Sequence, residues 1–419
     1  MNVRIKKGLL NGVVNVPSSK SLTHRAIIAA SLAEGDSIIS NVSFSKDIDA
    51  TINAMSSLGA IIKKDNDTLY IKGCYPKLNN NVIDCNESGS TTRFLIPISI
   101  LTNEEVTFIG HNKLVDRPLD VYFDIFKQDS ISYEKNDHYL PLKVKGSFKG
   151  GTYKVRGDVS SQFITGLLFT LPLIDKDSKI EITTSLESKS YIDLTIDILQ
   201  KFGVEITFNN NCYYIKGNQK YKPFNYTVEG DFSQAAFYLV ADALGSNVLL
   251  KNMNPNSLQG DIEILSDLKK AGCEIIYENN LYSVKANNLK PLDIDVSNTP
   301  DLGPILCVLL NNIEGTSRLI NAERLRIKEC DRITCVREEL NKLGFNIEET
   351  KDSMIIHGSN KVLSNTIDSH NDHRLVMAFA IAATISNKEV VITNALAINK
   401  SYPNFFKDFE KLGGNISYE

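Results

Sequence analysis

Residues 198–217 read ILQKFGVEITFNNNCYYIKG, and this pattern decides the fold because it returns along the chain. It consists of a helix end, a glycine, a short apolar run, an asparagine-rich turn and a second apolar run. Gly203 stands where a glycine commonly ends a helix in the left-handed conformation. Asparagines between two short apolar runs predict a β-hairpin. The stretch therefore predicts a helix followed by a hairpin.

Similar stretches recur along the sequence. Good copies occupy residues 54–73, 267–286 and 339–358, a weaker copy occupies 124–146, and a copy that stops after its first strand occupies 408–419. Their helix-ending positions are Gly59, Gly203, Gly272, Gly344 and Gly413, with Asp129 in the weaker copy. A spacing of roughly 70 residues is typical of repeated supersecondary units.

A second element repeats in phase with the first. Apolar helices with polar starts are predicted near Ser18, Ser88, Ser160, Asp231, Asp301 and Asn371. Serine, aspartate and asparagine cap helix N termini. Beyond the first turn these helices are apolar on nearly all sides, so we expect them to be buried.

The truncated sixth copy lacks its last strand, and the N-terminal sequence NVRIKKG resembles the missing one. The sequence therefore predicts an α/β (α+β) protein of two similar domains with three repeats each. Residues 18–228 form one domain, and residues 229–419 together with 1–17 form the other. The chain then crosses between the domains twice.

Composition excludes several classes of protein. The chain has 419 residues and a net charge of −4, so no overall positive charge attracts nucleic acid or anionic membranes. The N-terminal residues lack the apolar region of a signal peptide, and the apolar runs are too short to span a bilayer. Seven scattered cysteines without C-x-x-C spacing predict reduced thiols, neither a disulfide framework nor a zinc site. We therefore expect a cytoplasmic protein.

Cations recur at or near the predicted helix starts, where free N–H groups and the helix dipole favour anions. If these starts converge on one cleft, they form an anion-binding site. Asp301 and Glu329 are carboxylates among these cations. Each motif alone also fits a capped helix or a solvated face, but their recurrence indicates highly anionic ligands such as two phosphorylated small molecules. The cations are Lys20, Arg25, Arg93, Arg117, Lys328, Arg332, Arg374 and Lys400.

At these motifs the whole chain closely resembles the 5-enolpyruvylshikimate-3-phosphate (EPSP) synthase family, the 3-phosphoshikimate 1-carboxyvinyltransferases. The resemblance implies the enolpyruvyl transferase fold, in which each domain holds three βαβαββ units with parallel buried helices and two crossovers join the domains. The motifs, in the family's order, are PSSKSLTHRA, ESGSTTRF, DRPL, VSSQF, SKSYID, RIKECDR, NDHR and KSYPNFF.

The resemblance implies transfer of the enolpyruvyl group of phosphoenolpyruvate to the 5-hydroxyl of shikimate 3-phosphate, with release of phosphate. It implies a tetrahedral intermediate, no cofactor, no metal, and inhibition by glyphosate. The implied catalytic residues are Asp301, Glu329 and Lys20. The implied shikimate 3-phosphate ligands are Lys20, Ser21, Arg25, Ser160, Ser161, Gln162, Ser188, Tyr191, Asp301 and Lys328. The implied phosphoenolpyruvate ligands are Lys20, Gly89, Arg117, Gln162, Arg332, Arg374 and Lys400.

Three alternatives stay open at this point. A UDP-N-acetylglucosamine enolpyruvyl transferase shares the repeat, but that family has Asn where Ser21 stands and a loop cysteine that this chain lacks between Cys85 and Cys212. An RNA 3′-phosphate cyclase or nucleic-acid module disagrees with the acidic balance. A non-catalytic binding protein would not need Asp301 and Glu329 together. The family pattern differs at Glu87 and Arg324, whose roles stay undefined, and we expect a monomer with small-molecule substrates only.

Overall fold

The computed structural model describes residues 1–359 and 361–419. Its contacts divide the chain into two compact units. The continuous unit is Ser19–Val228, and the discontinuous unit combines Met1–Ser18 with Glu229–Glu419. Ser18, which sequence analysis assigns to the other domain, forms a β-bridge with Gly230 in the discontinuous unit.

The described residues form α-helices and short strands in alternation. The helices are α1 (Lys20–Leu32), α2 (Lys46–Ser57), α3 (Gly89–Ile100), α4 (Asp120–Asp129), α5 (Ser161–Thr170), α6 (Lys189–Lys201), α7 (Phe232–Ala243), α8 (Glu263–Lys270), α9 (Gly303–Asn311), α10 (Arg332–Lys342), α11 (His373–Thr384) and α12 (Phe405–Lys411).

The strands of the first half of the chain are β1 (Val3–Lys6), β2 (Asn11–Asn15), β3 (Gly35–Ser40), β4 (Ile61–Asp65), β5 (Thr68–Gly73), β6 (Val82–Asp84), β7 (Val106–Ile109), β8 (Ser132–Lys135), β9 (Leu142–Lys145), β10 (Gly151–Val155), β11 (Ser178–Ile182), β12 (Ile206–Asn209), β13 (Cys212–Ile215) and β14 (Tyr226–Thr227). The remaining strands are β15 (Asn247–Lys251), β16 (Cys273–Glu278), β17 (Leu281–Ala286), β18 (Asp293–Asp295), β19 (Gly315–Ile320), β20 (Ile347–Glu349), β21 (Met354–Gly358), β22 (Thr366–Asp368), β23 (Val390–Thr393) and β24 (Asn415–Tyr418).

Within the described part of the chain, these strands form six four-stranded sheets of one design. In the sheet β6-β7-β9-β8, the first two strands are parallel and the later pairs are antiparallel. The chain order β6, α3, β7, α4, β8, β9 makes this repeat a βαβαββ unit, because a parallel pair needs a crossover helix. The fold class implied by the family resemblance is confirmed.

Three of the sheets contain a strand that comes from a distant part of the sequence. β1 lies between β23 and β24 and is antiparallel to both, so it supplies the strand that the truncated sixth repeat lacks. β2 pairs parallel with β15, and β14 pairs parallel with β3. Each unit therefore completes its sheets with its own residues.

One helix of each repeat is buried, as the apolar pattern predicts. In α7, α9 and α11 every residue is buried, and α1, α3 and α5 are buried beyond their first turns. The polar caps are Ser19, Ser88, Ser160, Asp231 and Asp372, so the first and last predicted starts each move by one residue. The fifth start moves from Asp301 to Leu302, which makes no side-chain cap bond, because Asp301 lies in a 3₁₀ turn before α9. No helix in the described residues combines the length and apolarity that crossing a bilayer requires.

The helix ends explain why the repeat is visible in the sequence. Gly203 has φ +80° and Gly272 has φ +102°. Glycine adopts such positive φ values readily, whereas residues with a side chain are strained there. In the weaker copy the left-handed residue is Ser130, with φ +59°, and not Asp129, which is the last residue of α4. The hairpin turn before β13 uses Asn210 and Asn211, both with positive φ as a type I′ turn requires.

Candidate active site

A buried arginine organises the charged side chains of the discontinuous unit. Arg332 is the first residue of α10, and its side chain is 1% exposed. Its guanidinium donates to Asp372 Oδ2 at 2.7 Å, to Asp301 Oδ1 at 2.8 Å and to Glu329 Oε2 at 2.8 Å. A charge buried this deeply needs such partners, so Arg332 fixes the relative positions of the three carboxylates.

The local sequence around Arg332 explains this placement. A 3₁₀ helix, Glu323–Ile327, ends at Lys328, whose backbone is extended. Asp331 then caps α10 by accepting a hydrogen bond from Thr334 N. Glu329 therefore lies two residues before the cap of α10, and its side chain reaches Arg332, the first residue of that helix.

Asp301 lies among three cations. It belongs to the 3₁₀ turn Pro300–Leu302, which leads into α9. Lys328 Nζ is 3.3 Å from Oδ1, and Arg374 Nη2 is 3.3 Å from Oδ2. Burial opposes the charge of this carboxyl, but Lys328, Arg374 and Arg332 outweigh it and hold the pKa of Asp301 well below its usual range. Asp301 is thus an ionised hydrogen-bond acceptor at neutral pH.

The surroundings of Lys328 disfavour its charged form, in contrast to those of Asp301. Burial lowers the pKa of its ammonium to about 8, and the charges of Arg332 and Arg324 act in the same direction, while Asp301 opposes them. The charge of Lys328 is therefore sensitive to mildly alkaline pH. An anionic ligand near Lys328 would raise this pKa again, since an opposite charge favours the protonated form.

Two cations, Arg374 and Lys400, lie at the start of α11. Asp372 caps the helix by accepting from Arg374 N at 2.8 Å. The Arg374 side chain donates to Ser233 O at 2.9 Å and to Ser233 Oγ at 2.6 Å, which ties α11 to α7. Lys400 ends the 3₁₀ helix Ala395–Lys400 and donates to Asn371 O at 2.6 Å. The discontinuous unit therefore concentrates cations around one buried helix start.

The continuous unit carries a separate group around α1. Arg25 is buried and donates to Ser21 O at 2.7 Å and to Tyr191 O at 2.8 Å. Burial lowers the pKa of Arg25 to about 10, so it stays charged at neutral pH. Lys20, the first residue of α1, forms a 2.9 Å ion pair with the buried carboxylate of Asp47 on α2. These bonds hold the basic face of α1 against α2 and α6.

A second group in the continuous unit links the starts of α3 and α5. Arg93 Nη1 donates to Gln162 Oε1 at 2.8 Å, and Gln162 Nε2 donates to Ser90 Oγ at 3.0 Å. A methyl carbon placed on Gly89 would lie only 2.7 Å from Arg117 Nη1, so the Arg117 guanidinium lies directly against this glycine. The backbone N–H groups at the start of α3 and the Arg117 guanidinium together suit a phosphate or a carboxylate.

Comparison with known proteins identifies the family. The family model described as EPSP synthase (3-phosphoshikimate 1-carboxyvinyltransferase) matches residues 5–409. The chain belongs to the EPSP synthase family. The 3-phosphoshikimate 1-carboxyvinyltransferase of Clostridium novyi is 51% identical, covering 99% of this chain and 98% of that protein. The enzyme of the same name from Clostridioides difficile is 48% identical, covering 99% and 98%.

Solved structures support the fold of this EPSP synthase family member. EPSP synthase from Acinetobacter baumannii superimposes with a TM-score of 0.82 at 24% identity, covering 99% of each chain. The enolpyruvyl transferase NikO from Streptomyces tendae gives 0.81 at 14% identity, covering 100% of this chain and 98% of that one. At these identities the likeness concerns the fold alone.

Most of the EPSP synthase site residues predicted from sequence lie at helix starts. Ser160 caps α5, and Ser161 and Gln162 form its first turn. Ser188 precedes α6 with φ +52°, and Tyr191 lies in the first turn of that helix. Within the discontinuous unit, direct contacts join Asp301, Lys328, Glu329, Arg332 and Arg374. Lys400 donates to the backbone of Asn371, the residue before Asp372. Within the continuous unit, contacts join Ser21 and Tyr191 to Arg25, and Gly89 to Arg117.

The structure also shows residues that sequence analysis left without a role in the EPSP synthase site. Asp47 pairs with Lys20, Ser233 holds Arg374, and Asp372 holds Arg332. Asp372 could be identified as a helix cap from its position, but its bond to Arg332 spans 40 residues. Nothing in the local pattern around Asp47 distinguishes it from a surface aspartate in the first turn of an amphipathic helix.

Proposed function

We propose that this protein transfers the enolpyruvyl group of phosphoenolpyruvate to the 5-hydroxyl of shikimate 3-phosphate, releasing phosphate, in the synthesis of chorismate and the aromatic amino acids. The observation that carries the proposal is the cluster around Arg332, where one buried guanidinium holds Asp301 and Glu329 among further cations. The reaction needs a proton acceptor, a proton donor and fixed positive charge, and this cluster contains all three.

Both substrates carry a phosphate and a carboxylate, so both need cationic ligands. We assign phosphoenolpyruvate to the groups whose cations flank Glu329 and the start of α3, and shikimate 3-phosphate to the hydroxyl-rich starts of α5 and α6. The phosphoenolpyruvate ligands are Lys20, Gly89, Arg117, Gln162, Arg332, Arg374 and Lys400. The shikimate 3-phosphate ligands are Lys20, Ser21, Arg25, Ser160, Ser161, Gln162, Ser188, Tyr191, Asp301 and Lys328.

Asp301 accepts the proton of the attacking hydroxyl. In the protein alone its pKa is held far below the usual range by cations, which makes it a weak base. Two anionic substrates would neutralise part of that positive charge and raise the basicity of Asp301 when it is needed. Its 3.3 Å contacts with Lys328 and Arg374 keep the carboxylate oriented throughout.

Glu329 moves the proton at the methylene carbon of phosphoenolpyruvate. The hydroxyl oxygen bonds to C2 and passes its proton to Asp301, while Glu329 in its protonated form, which the negative charge of the bound substrates favours, delivers its proton to C3. This addition gives a tetrahedral intermediate with a methyl group. The C2–O bond to the phosphate group then breaks and phosphate leaves with the bonding electrons. The Glu329 carboxylate removes a proton from the methyl group, which restores the double bond and returns Glu329 to its protonated form. The ammonium group of Lys20 stabilises the negative charge of the intermediate, and its ion pair with Asp47 holds it in place.

A phosphate-release assay tests this function. Wild-type protein with phosphoenolpyruvate and shikimate 3-phosphate should release one phosphate for each enolpyruvyl product formed, and glyphosate should compete with phosphoenolpyruvate. UDP-N-acetylglucosamine in place of shikimate 3-phosphate should give no release. Phosphate release from phosphoenolpyruvate with UDP-N-acetylglucosamine but not with shikimate 3-phosphate would instead support a UDP-N-acetylglucosamine enolpyruvyl transferase. We further propose that the protein works as a monomer in the cytoplasm, which size-exclusion chromatography and cell fractionation test.

The catalytic efficiency for shikimate 3-phosphate should fall above pH 8. Lys328 has a pKa of about 8 in the protein without ligand, so deprotonation removes the positive charge that favours the anion. For a required protonated group, kcat/KM should fall about fivefold between pH 8 and pH 9. Steady-state rates across this range measure it. In Lys328→Arg the guanidinium keeps its charge and the decline should disappear; an equal decline in that variant would place the titration elsewhere.

Gly89→Ala should weaken phosphoenolpyruvate binding without destabilising the protein. Its methyl carbon would lie 2.7 Å from Arg117 Nη1, so the end of that flexible side chain must shift. Displacing a charge-assisted donor should raise KM for phosphoenolpyruvate about tenfold. Gly8→Ala is the matched control, since a methyl carbon there meets nothing within 4 Å. An unchanged KM in Gly89→Ala would show that Arg117 does not bind this substrate from its observed position.

A further inference from the structure

A row of hydrogen bonds joins three helices inside the continuous unit. His24 Nδ1 on α1 lies 2.7 Å from Thr51 Oγ1 on α2, and Thr51 Oγ1 lies 2.7 Å from Thr91 Oγ1 on α3. Thr91 Oγ1 donates to Ser88 Oγ at 2.7 Å. All four side chains are completely shielded from solvent. We refer to His24, Thr51, Thr91 and Ser88 as the buried polar row.

The direction of the hydrogen bonds follows from the last member. Ser88 Oγ is the cap of α3 and accepts from both Thr91 N and Thr91 Oγ1. Because the Thr91 hydroxyl donates there, its oxygen must accept from the Thr51 hydroxyl. The Thr51 oxygen must then accept from His24, which therefore carries its proton on Nδ1.

The other side of the His24 ring agrees with this assignment. No group among the described residues bonds to Nε2, and the ring meets Phe94 edge to face, with 6.5 Å between centroids. An unpaired N–H in an apolar setting is unfavourable, so the proton belongs on Nδ1. Burial, together with the charges of Lys20 and Arg25, lowers the pKa of His24 well below its usual value, so the ring is neutral at neutral pH.

The far end of the row supports an anion-binding helix start. Thr92 Oγ1 donates to Ser88 O at 2.9 Å, so the cap is held from two sides. The next residue, Gly89, lies against the Arg117 guanidinium. The orientation of Ser88 therefore determines where the first N–H groups of α3 point relative to Arg117.

We propose that His24 is a positioning residue for phosphoenolpyruvate binding, which it serves by donating from Nδ1 into the buried polar row and so fixing the first turn of α3. The identity of the ligand rests on the proposed function. Without a donor at His24, the Thr51 hydroxyl is free to turn away from Thr91. The hydrogen bond from Thr91 to Ser88 then no longer has a fixed direction, and the cap of α3 is held less firmly. None of the proposed shikimate 3-phosphate ligands belongs to the row. Arg25, the neighbour of His24 on α1, is held separately by Thr195 and Tyr191.

Matched substitutions test the proposal by separating the two KM values. Thr51→Val removes the hydroxyl and keeps the shape, whereas Thr51→Ser keeps the hydroxyl. His24→Leu removes the donor, whereas His24→Asn offers an amide N–H at the position of Nδ1. Thr51→Val and His24→Leu should raise KM for phosphoenolpyruvate at least fivefold, leaving KM for shikimate 3-phosphate within about twofold. Thr51→Ser and His24→Asn should resemble the wild type.

Equal changes in both KM values, or no change in Thr51→Val, would overturn the proposal. So would a loss of folding stability in Thr51→Val with both KM values unchanged, because a merely structural role predicts that result.

A second measurement does not depend on the reaction. In the ¹⁵N spectrum of full-length protein labelled on histidine, with His24→Asn used to assign the signal, Nδ1 of His24 should be protonated and Nε2 should not. In Thr51→Val, amide hydrogen exchange at residues 89–92 should become faster. The opposite tautomer, or unchanged exchange, would contradict the row even if wild-type turnover is normal. The wild-type protein could release no phosphate and still show the Nδ1 tautomer, with faster exchange in Thr51→Val. The proposed function would then be wrong, but the hydrogen-bond directions in the buried polar row would be supported.

Discussion

Replacing Glu329 by glutamine is expected to lower kcat about a thousandfold or more while shikimate 3-phosphate still binds. The amide has the same shape and keeps a carbonyl oxygen for Arg332, which donates to Glu329 Oε2 at 2.8 Å. It cannot deliver or remove a proton at carbon, so addition and elimination both stop. Stopped-flow or steady-state phosphate release measures kcat, and calorimetric titration measures shikimate 3-phosphate binding.

Glu323→Gln is the matched control for this prediction. Glu323 begins the 3₁₀ helix that leads to Glu329, and it is exposed beside Lys351. Its loss should leave both kcat and binding unchanged. Turnover within tenfold of the wild type in Glu329→Gln would remove Glu329 from the proton-transfer role.

Replacing Arg332 by methionine is expected to destabilise the protein by about 3–5 kcal/mol and to abolish turnover. The substitution leaves Asp372, which is completely shielded from solvent, without the guanidinium 2.7 Å from it. It also releases Asp301 and Glu329 from a common partner. Urea denaturation followed by circular dichroism measures the loss of stability.

Two further variants separate the stability effect of Arg332 from its role in the reaction. Arg332→Met combined with Asp372→Asn removes the stranded charge and should recover part of the stability but no turnover. Arg4→Met breaks ion pairs with Glu389 and Glu419 at an exposed site and should change the denaturation curve little. A stable Arg332→Met protein would mean that the remaining hydrogen bonds of Asp372, from Arg374 N and Cys330 Sγ, are enough to stabilise its buried side chain.

The repeats could be predicted because each one depends on local chemistry. A glycine such as Gly203 marks its helix end by a backbone conformation that few residues adopt, and paired asparagines mark the turn. Ser130 replaces glycine in the weaker copy, which explains why sequence analysis placed that helix end one residue early. β14 contains two residues, too few for an apolar pattern, so its pairing with β3 could not be predicted.

The candidate site likewise has a part that local sequence predicts and a part that depends on tertiary contacts. Residues such as Gly89 and Arg374 stand in helix starts, where capping makes them visible in the sequence. The bonds that hold the site, including Lys20 to Asp47 and Arg332 to Asp372, join different helices across 27 and 40 residues. Such pairs depend on how the repeats pack, and a single sequence does not encode that as a local pattern.

The placement of β1 has a consequence for the way the protein is made. β1 is synthesised long before its neighbours in the sheet, β23 and β24. Residues 19–228 contain all the strands of their own sheets and can fold while translation continues. During synthesis β1 is therefore an unpaired strand until β23 and β24 have been made, so this sheet of the discontinuous unit is completed last.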